Sequence, residues 1–213
     1  MEGNKVKWVV VSGLDGSGKT TLVSNLEKWF TEEKNLRVKR SRLPHDEHLV
    51  NDLLNESKDS YTDRMIFALD NRIFAEKYKD WYKSGKYDII LTQRGFLDSF
   101  VHGAVQGYSY SWIANMNQVA DLPKCNVIIH LVAEAEIAYQ RIKDDPNADK
   151  FEYIEYIRKQ ESETRRAYYE VCRDNVDLAH FRNCINIYID TTQLTPDETF
   201  EMAIRRLQEY NIV

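Results

Sequence analysis

The chain has 213 residues, of which 43% are hydrophobic and 30% are charged, and its formal net charge is −5. This composition is typical of a globular protein and excludes a disordered or fibrous chain. The length suits a single domain spanning 1–213. The acidic balance argues against a general nucleic-acid-binding protein, which would carry a basic excess.

No segment approaches the roughly 18 consecutive apolar residues that a membrane-spanning helix needs, and the first residues lack the apolar core of a signal peptide. The three cysteines, Cys125, Cys172 and Cys184, have no metal-binding spacing. Free thiols in a reducing compartment are therefore expected. Together these features predict a cytoplasmic protein with no membrane or nucleic-acid partner.

The first predicted element is a buried strand at 8–11, which leads into the segment SGLDGSGKTT at 12–21. Residues 13–20 of this segment fit the pattern of a P-loop, and an amphipathic helix pattern follows them. Because a P-loop joins a strand to a helix, this context makes the match specific. The segment therefore predicts a site for a nucleoside triphosphate.

The chemistry of a P-loop assigns a task to each part of the segment. Its backbone N–H groups would bind phosphate oxygens at the positive end of the helix. Lys19 would pair with the β- and γ-phosphates, and Thr20 would bind Mg²⁺. The predicted ATP-binding residues here are Gly13, Asp15, Gly16, Ser17, Gly18, Lys19, Thr20 and Thr21.

The rest of the chain alternates further strand and helix patterns. Short runs rich in Val and Ile, or alternating in character, predict strands at 36–41, 88–91, 127–132 and 185–189. Helical patterns lie at 62–84, 151–173 and 196–210, the first beginning at Thr62 and ending before Gly85. The alternation predicts an α/β fold with a doubly wound, five-stranded parallel sheet flanked by helices. Ligands of such sheets bind beyond the carboxyl ends of the strands.

A P-loop occurs in switch GTPases, motor ATPases and small-molecule kinases, so the loop alone does not choose among them. Outside the loop the chain has no Asp-x-x-Gly, and it has no Asn-Lys-x-Asp at all. The guanine-reading residues of a switch GTPase are therefore missing, and the chain is short for a motor. The remaining class is a kinase that phosphorylates a small acceptor.

Six segments, in order along the chain, resemble those of the thymidylate kinase family of P-loop nucleoside monophosphate kinases. They are GLDGSGKTT at 13–21, RLP at 42–44, FALDNR at 67–72, QRGFLDSFVHGAVQG at 93–107, DKFE at 149–152 and DTTQ at 190–193. The resemblance implies transfer of the ATP γ-phosphate to a deoxynucleoside monophosphate, dTMP above all, with Mg²⁺. It also implies a short lid at about 142–152 and a homodimer.

The resemblance also implies the acceptor site. Arg42 and Arg94 each follow a predicted strand, and an arginine can hold a phosphate in a bidentate pair. Asp15 would accept a hydrogen bond from the 3′-hydroxyl of the acceptor, and Thr192 would lie on the adenine side. The full set of substrate-binding residues expected is Asp15, Arg42, Phe67, Asn71, Arg72, Arg94 and Gln106.

The sequence departs from the family pattern before the strand-end arginine. The family usually has an Asp there that helps to organise Mg²⁺, whereas this chain has Gln93. An amide is a weaker ligand for a hard cation than a carboxylate. Either Asp98 acts through water, or Mg²⁺ depends on Thr20 and the phosphates.

A second departure lies on the helix that reads the base in the family. There a Phe stacks on the base, and an Arg four residues later shares its helix face. In this chain Phe67 plus four is Asn71, and Arg72 shares a face with Ala68 instead. This shift leaves the preferred base open.

A third departure concerns the cation for the transferring phosphate. Gly16 stands where some family members carry a loop arginine, while others supply that charge from the lid. Arg141 is therefore the candidate for the cation at the transferring phosphate, with Lys150 or Arg158 as a supporting charge. The predicted catalytic residues are Lys19, Arg94 and Arg141. Arg165 and Arg166 are expected on a solvated helix surface.

Two other functions stay open at the level of sequence. A deoxynucleoside kinase would use an uncharged acceptor, but it would have no need of Arg42. A nucleotide-binding sensor or scaffold would fit Gln93 and the sparse lid, although Lys19, Thr20 and Arg94 favour an enzyme. The homodimer, if formed, could use the apolar residues Ile66, Leu69, Ile73 and Trp81.

Overall fold

Five parallel strands form one sheet in the order β2-β3-β1-β4-β5. The structure is a computed structural model that describes residues 6–144, 153–172 and 176–213. The strands are Lys7–Gly13 (β1), Val38–Arg42 (β2), Ile89–Gln93 (β3), Val127–Val132 (β4) and Ile185–Asp190 (β5). The predicted α/β fold with a five-stranded parallel sheet is confirmed.

The α-helices connect these strands and lie on both faces of the sheet. Their bounds are Lys19–Lys28 (α1), Glu47–Glu56 (α2), Ser60–Lys83 (α3), Phe96–Val105 (α4), Tyr110–Asn117 (α5), Ala135–Ile142 (α6), Ile154–Cys172 (α7) and Pro196–Glu209 (α8). Short helical turns at Trp29–Glu33, Val119–Asp121 and Val176–Phe181 complete the connections.

The central strand β1 is buried on both faces, because its side chains alternate between two apolar clusters. Trp8 and Val10 pack with residues of α3, α4, α5 and α7, whereas Val9 and Val11 pack with α1 and α8. The indole Nε1 of Trp8 donates a hydrogen bond to Thr92 Oγ1 at 2.9 Å. Burial on both faces explains why the strand reads as one continuous apolar run.

The helix predictions agree with the structure in part. The longest helix, α3, begins about one helical turn earlier than expected, because its N-cap is Asp59 and not Thr62. The Asp59 side chain accepts a hydrogen bond from the Thr62 N–H at 2.8 Å. Gly85 follows its end with φ of 63°, as expected for a helix terminus. Helices α2, α4, α5 and α6 were not predicted.

Three further predictions concern the lid, membrane-spanning helices and the cysteines. Most of the expected lid, 145–152, lies outside the described residues. Among those that are described, no helix is both long enough and apolar enough to cross a bilayer. Cys125 and Cys184 are both buried, and their sulfur atoms lie 3.0 Å apart without a disulfide bond between them.

Candidate active site

A cavity of about 1080 Å³ lies at the carboxyl ends of the strands, where ligands of doubly wound sheets bind. It extends from the loop after β5, across the P-loop, to the ends of β2 and β3 and the inner face of α3. The predicted site residues that line it are Asp15, Gly16, Ser17, Gly18, Lys19, Thr20, Thr21, Arg42, Phe67, Asn71, Arg94 and Arg141. One continuous cleft therefore collects most of the predicted site.

The P-loop owes its path to two glycines that have no room for a side chain. A Cβ on Gly13 would lie 1.9 Å from the carbonyl oxygen of Leu131, and one on Gly16 would lie 2.1 Å from that of Ala138. Both residues also have positive φ, 141° and 80°, which glycine adopts without steric cost. The loop is thus fixed against β4 and α6, with its N–H groups at the start of α1.

Lys19 is buried and bonded within the loop. Its ammonium group donates to the carbonyl oxygens of Gly13 and Leu14, both at 2.8 Å, and to Asp15 Oδ1 at 3.2 Å. Burial lowers the pKa of Lys19, and the charge of Asp15 offsets this only in part. The loop's own oxygens thus hold the lysine beside the phosphate-binding N–H groups.

Asp15 is the electrostatic centre of the cavity. It is 6% exposed, and its carboxylate forms ion pairs with both Arg94 and Lys19. Burial alone would raise the pKa of Asp15, but the charges of Arg94 and Lys19 outweigh it and hold the pKa far below its usual range. The acid is therefore ionised and partly neutralised by two cations that a phosphate could also engage.

Arg94 reaches Asp15 through an unusual backbone conformation. It follows the last residue of β3 with φ of 64°, in the left-handed region, and its N–H donates to the Val11 carbonyl at 2.8 Å. That conformation costs a non-glycine residue about 1–2 kcal/mol. Strain of this kind is common where a side chain is aimed at a functional site.

Arg42 lies at the outer end of the cavity, as the last residue of β2 rather than just beyond the strand. Its guanidinium pairs with Glu47 of α2 at 3.0 Å, and its side chain is 45% exposed. An ion pair this exposed contributes little to stability. The arginine is therefore available to an anion that enters the cavity from this side.

The inner face of α3 presents Arg64, Phe67 and Asn71 to the cavity. Arg72 lies outside it and donates to the backbone and side-chain oxygens of Gln118, at 3.1 and 2.7 Å. The expectation that Arg72 binds substrate is therefore not met by its position, because one residue of shift turns its side chain by about 100° around the helix. Arg64 was not predicted, although its spacing of three from Phe67 and seven from Asn71 marks the same face.

A buried polar chain that was not predicted connects the P-loop to α4 and α7. Gln160 donates to Asp15 Oδ2 at 3.3 Å and accepts from the Asp15 N–H at 3.2 Å. His102 lies 3.4 Å from the Gln160 amide nitrogen and 2.8 Å from the Tyr156 hydroxyl. Burial lowers the pKa of His102 to about 3 despite the nearby charge of Asp15, so the imidazole is neutral near pH 7.

The residues around β3 fit a magnesium ion that takes most of its ligands from phosphates and water. Gln93, Asp98 and the Thr20 side chain line the cavity together. Asp98 accepts a hydrogen bond from the Gly95 N–H at 2.8 Å, and burial raises its pKa. Over the described residues no cluster of three or more acidic, His or Cys ligands occurs. Mg²⁺ commonly uses only one or two protein carboxylates beside phosphates.

On the opposite side of the P-loop, Arg141 is held near the end of β5. Its guanidinium donates to the Gly16 carbonyl at 3.3 Å and to the Thr191 carbonyl at 2.9 Å. Thr191 lines the cavity, whereas the predicted Thr192 does not. The Thr192 hydroxyl accepts from the Glu134 N–H and donates to Asp190, so it organises the loop from outside.

Two other predicted residues, Gln106 and Arg158, lie outside the cavity, and a third falls outside the described residues. Gln106 lies at the end of α4, in a separate open cleft beside Tyr156, and does not line the cavity. Arg158 is exposed and pairs with Glu136 at 2.9 Å, and Lys150 lies outside the described residues. Arg165 and Arg166 make surface ion pairs, as expected.

Comparison with known proteins places this geometry in a family context. Residues 11–180 match the profile of a family described as thymidylate kinase. A curated relative from Saccharolobus solfataricus, "Probable thymidylate kinase 1", is 26% identical and covers 95% of this chain and 97% of its own length. One from Pyrobaculum aerophilum, "Probable thymidylate kinase", is 30% identical over 71% of this chain and 78% of its own.

A solved structure supports the same fold. The thymidylate kinase of Candida albicans superposes with a TM-score of 0.69, over 97% of this chain and 93% of that one. Its sequence identity to this chain is 15%. At that identity the likeness establishes the doubly wound fold and leaves the chemistry to the site itself.

Proposed function

This chain belongs to the thymidylate kinase family, whose profile covers residues 11–180, and we propose that it transfers the γ-phosphoryl group of ATP to dTMP. The observation that carries the proposal is the single cavity that joins the P-loop to Arg42, Phe67 and Asn71. It offers a triphosphate site at one end and a cationic, aromatic site at the other. Phosphoryl transfer between two nucleotides needs both in one enclosed space.

The donor binds along the P-loop. Its phosphates lie against the loop N–H groups and Lys19, whose contacts with the Gly13 and Leu14 carbonyls hold the ammonium close by. Arg141 and Thr191 flank the loop on the β5 side, and there Arg141 brings positive charge to the donor phosphates. Catalysis consists mainly of positioning and of neutralising charge on the moving group.

The acceptor binds from the β2 side. Arg42 holds its 5′-phosphate, Phe67 stacks on its base, and Asp15 accepts a hydrogen bond from its 3′-hydroxyl. In this proposal Arg94 lies between the two substrates, where its guanidinium would be beside the path of the phosphoryl group, and its ion pair with Asp15 supports this role. An ionised carboxylate only accepts hydrogen bonds, so Asp15 suits a sugar hydroxyl.

Thr20 and Asp98 would hold Mg²⁺, the second directly or through water. Bound there with ATP, the ion would neutralise charge on the phosphates. Gln93 at the end of β3 contributes no charge, so Asp98 is the acid on which this part of the site depends.

The homodimer implied by the family resemblance is part of the proposal, and the exposed face of α3 is its candidate interface. Tyr61, Met65 and Leu69 recur every four residues and are each about half exposed, which forms an apolar stripe along the helix. Of the residues expected at such an interface from the sequence, Leu69 belongs to this stripe, whereas Ile66 is buried in the protein. A cytoplasmic location is part of the same proposal.

The proposal is tested by ADP release from Mg-ATP with a panel of acceptors. Ribo- and deoxynucleoside monophosphates and deoxynucleosides would be compared at equal concentration, with the Lys19→Ala variant as the inactive control. A preference for dTMP and a loss of about 10²–10³-fold in Lys19→Ala are expected. Turnover of thymidine but not of dTMP would make the protein a deoxynucleoside kinase. ATP binding with no acceptor-dependent turnover would make it a sensor or scaffold.

A further inference from the structure

Arg64 is a buried cation at the acceptor end of the cavity. The proposed function gives it no phosphate to bind, because Arg42 holds the acceptor phosphate and Lys19 and Arg141 hold the donor phosphates. Arg64 is 5% exposed, lines the cavity, and places its guanidinium carbon 4.5 Å from the centroid of the Phe67 ring. Among the described residues, its buried Nε has no hydrogen-bond partner. Burial lowers the pKa of Arg64, and the nearby Asp63, Tyr108 and Tyr156 oppose this only in part.

A buried arginine with an unused donor is costly for a folded protein, because a desolvated charge is stabilised only by partners that accept its hydrogen bonds. The stem of the side chain packs beside Gly103 of α4, where a Cβ would lie 3.8 Å from its Cδ. The guanidinium lies over the Phe67 ring. A ligand oxygen in the cavity could satisfy it.

Asn71 lies two helical turns further along the same face, on the other side of Phe67. Its Nδ2 group donates to Ser99 Oγ at 2.9 Å and to Asn117 Oδ1 at 2.7 Å. Both amide N–H groups are thus used. Over the described residues no donor contacts its Oδ1 atom, and Asn71 lines the cavity, so Oδ1 is left to accept a hydrogen bond from a ligand.

The orientation of this amide follows from the backbone and not from Asn71 itself. Asn117 Nδ2 donates to the carbonyl oxygen of Ile113 at 2.9 Å. A carbonyl can only accept, so Asn117 must turn its amide nitrogen to Ile113 and its Oδ1 to Asn71. Asn71 must then present its nitrogen to Asn117, which fixes the position of its own Oδ1.

From this arrangement, and resting on the proposed function, we propose that Arg64 and Asn71 read the base of the acceptor and select a 2,4-dioxopyrimidine. With the base on Phe67, Asn71 Oδ1 accepts the imino N3–H, and the guanidinium of Arg64 donates to a carbonyl oxygen beside it. Arg64 thereby supplies the base-reading charge that Arg72, bonded to Gln118 outside the cavity, does not.

The pair also rejects a particular base. In cytosine the ring N3 is an acceptor, so it would face the Oδ1 of Asn71 with no hydrogen between them. A bound cytosine would leave the buried Oδ1 of Asn71 without a donor. The site therefore rejects cytosine more strongly than a difference in shape alone would. The orientation imposed by Ile113 and Asn117 is what prevents Asn71 from turning to suit cytosine.

The test compares Arg64→Met with the matched control Arg72→Met, since both remove a guanidinium from α3 and keep an unbranched stem. KM values for dTMP and for ATP, and thermal unfolding, would be measured for each. Arg64→Met should raise KM for dTMP about 10- to 100-fold, the loss of a charged hydrogen bond, and leave KM for ATP within about twofold. Arg72→Met should leave both unchanged.

The role of Asn71 is tested through the substrate. The wild type should prefer dTMP to dCMP and to N3-methyl-dTMP by at least about tenfold in kcat/KM, and Asn71→Ala should reduce both preferences. If Arg64→Met does not fold, Arg64→Lys replaces it, and equilibrium binding of dTMP is compared between this variant and the wild type. Arg64→Lys should weaken dTMP binding, because an ammonium lacks the fixed fork of a guanidinium.

The outcomes separate this proposal from the function on which it rests. A wild type that uses no dTMP would overturn the proposed function. If the wild type uses dTMP but Arg64→Met has an unchanged KM for dTMP, the base-reading role of Arg64 alone is overturned. If Asn71→Ala keeps the wild-type preference for dTMP over dCMP, the base-reading role of Asn71 alone is overturned.

Discussion

Nη2 of Arg94 lies 2.5 Å from Oδ1 of Asp15, and this ion pair joins the end of β3 to the middle of the P-loop. The two residues follow the carboxyl ends of neighbouring strands, since Asp15 comes two residues after β1 and Arg94 directly after β3. Arg94 makes the contact from a left-handed backbone conformation. Side-chain function and backbone strain at this residue can therefore be separated by mutation.

Replacing Arg94 with Gly or with Ala removes the same guanidinium, so both variants should lose turnover alike. Glycine adopts φ of 64° freely, whereas alanine keeps the steric cost of its Cβ. Arg94→Gly should therefore be more stable than Arg94→Ala by about 1 kcal/mol in urea unfolding. Equal stability of the two variants would mean that the backbone at this residue is not strained.

Arg42→Ala should raise KM for dTMP about tenfold and leave KM for ATP unchanged, because a charged hydrogen bond to the acceptor phosphate is lost at a partly exposed site. Arg37→Ala is the control. Arg37 precedes the same strand at its other end and pairs with Asp88 at 2.8 Å, away from the cavity. An acceptor KM that responds equally to both substitutions would remove Arg42 from the phosphate site.

Buried neutral histidines should make the protein less stable in acid. Burial lowers the pKa of His130 from 6.5 to about 4, and His102 behaves similarly. Between pH 6.5 and 4 the unfolded chain binds protons that the folded chain does not, so the free energy of unfolding falls as pH falls. The expected slope is up to about 1.4 kcal/mol per pH unit for each histidine.

Unfolding in urea from pH 7 to pH 4 measures this slope. His130→Gln keeps an N–H donor for Asn186, which His130 contacts at 2.8 Å, and should reduce the slope by one histidine's share. His48→Gln, at an exposed position, should leave it unchanged. The same pH dependence in wild type and His130→Gln would contradict the neutral, buried state of His130.

Met65→Glu should convert a dimer into a monomer of 25.1 kDa, because it places a charge in the middle of the apolar stripe on α3. Met202→Glu is the control, since Met202 is similarly exposed but lies on α8, across the sheet. Sedimentation equilibrium distinguishes the two. A wild type that sediments as a monomer at working concentration would exclude the homodimer.

The sequence was most informative where local chemistry decides the structure. The strands at 127–132 and 185–189 are short apolar runs buried on one or both faces, and the P-loop glycines leave little choice of conformation. Helix α4 was missed because nearly all of its ten residues are apolar or buried, so it lacks the polar face that gives a helix its period.

The site was harder to predict where helix faces decide it. Whether Arg64 or Arg72 points inward depends on which side of α3 meets α4 and α5, and that follows from tertiary packing. Likewise, Thr191 and Thr192 are adjacent and chemically alike, but the hydrogen bonds of Thr192 to Glu134 and Asp190 turn it outward. Spacing identifies a face, and only the neighbouring elements tell whether it lines a cavity.

The contact between Gly16 and α6 limits how this protein can evolve. Any side chain at position 16 would place its first carbon against the Ala138 carbonyl, so a single substitution cannot introduce an arginine at this position of the loop. A lineage that needed a loop arginine would first have to move α6 and, with it, Arg141. The position of one helix thus means that any cation added to Lys19 for the transferring phosphate comes from outside the loop, as Arg141 does, and descendants of this protein would inherit that arrangement.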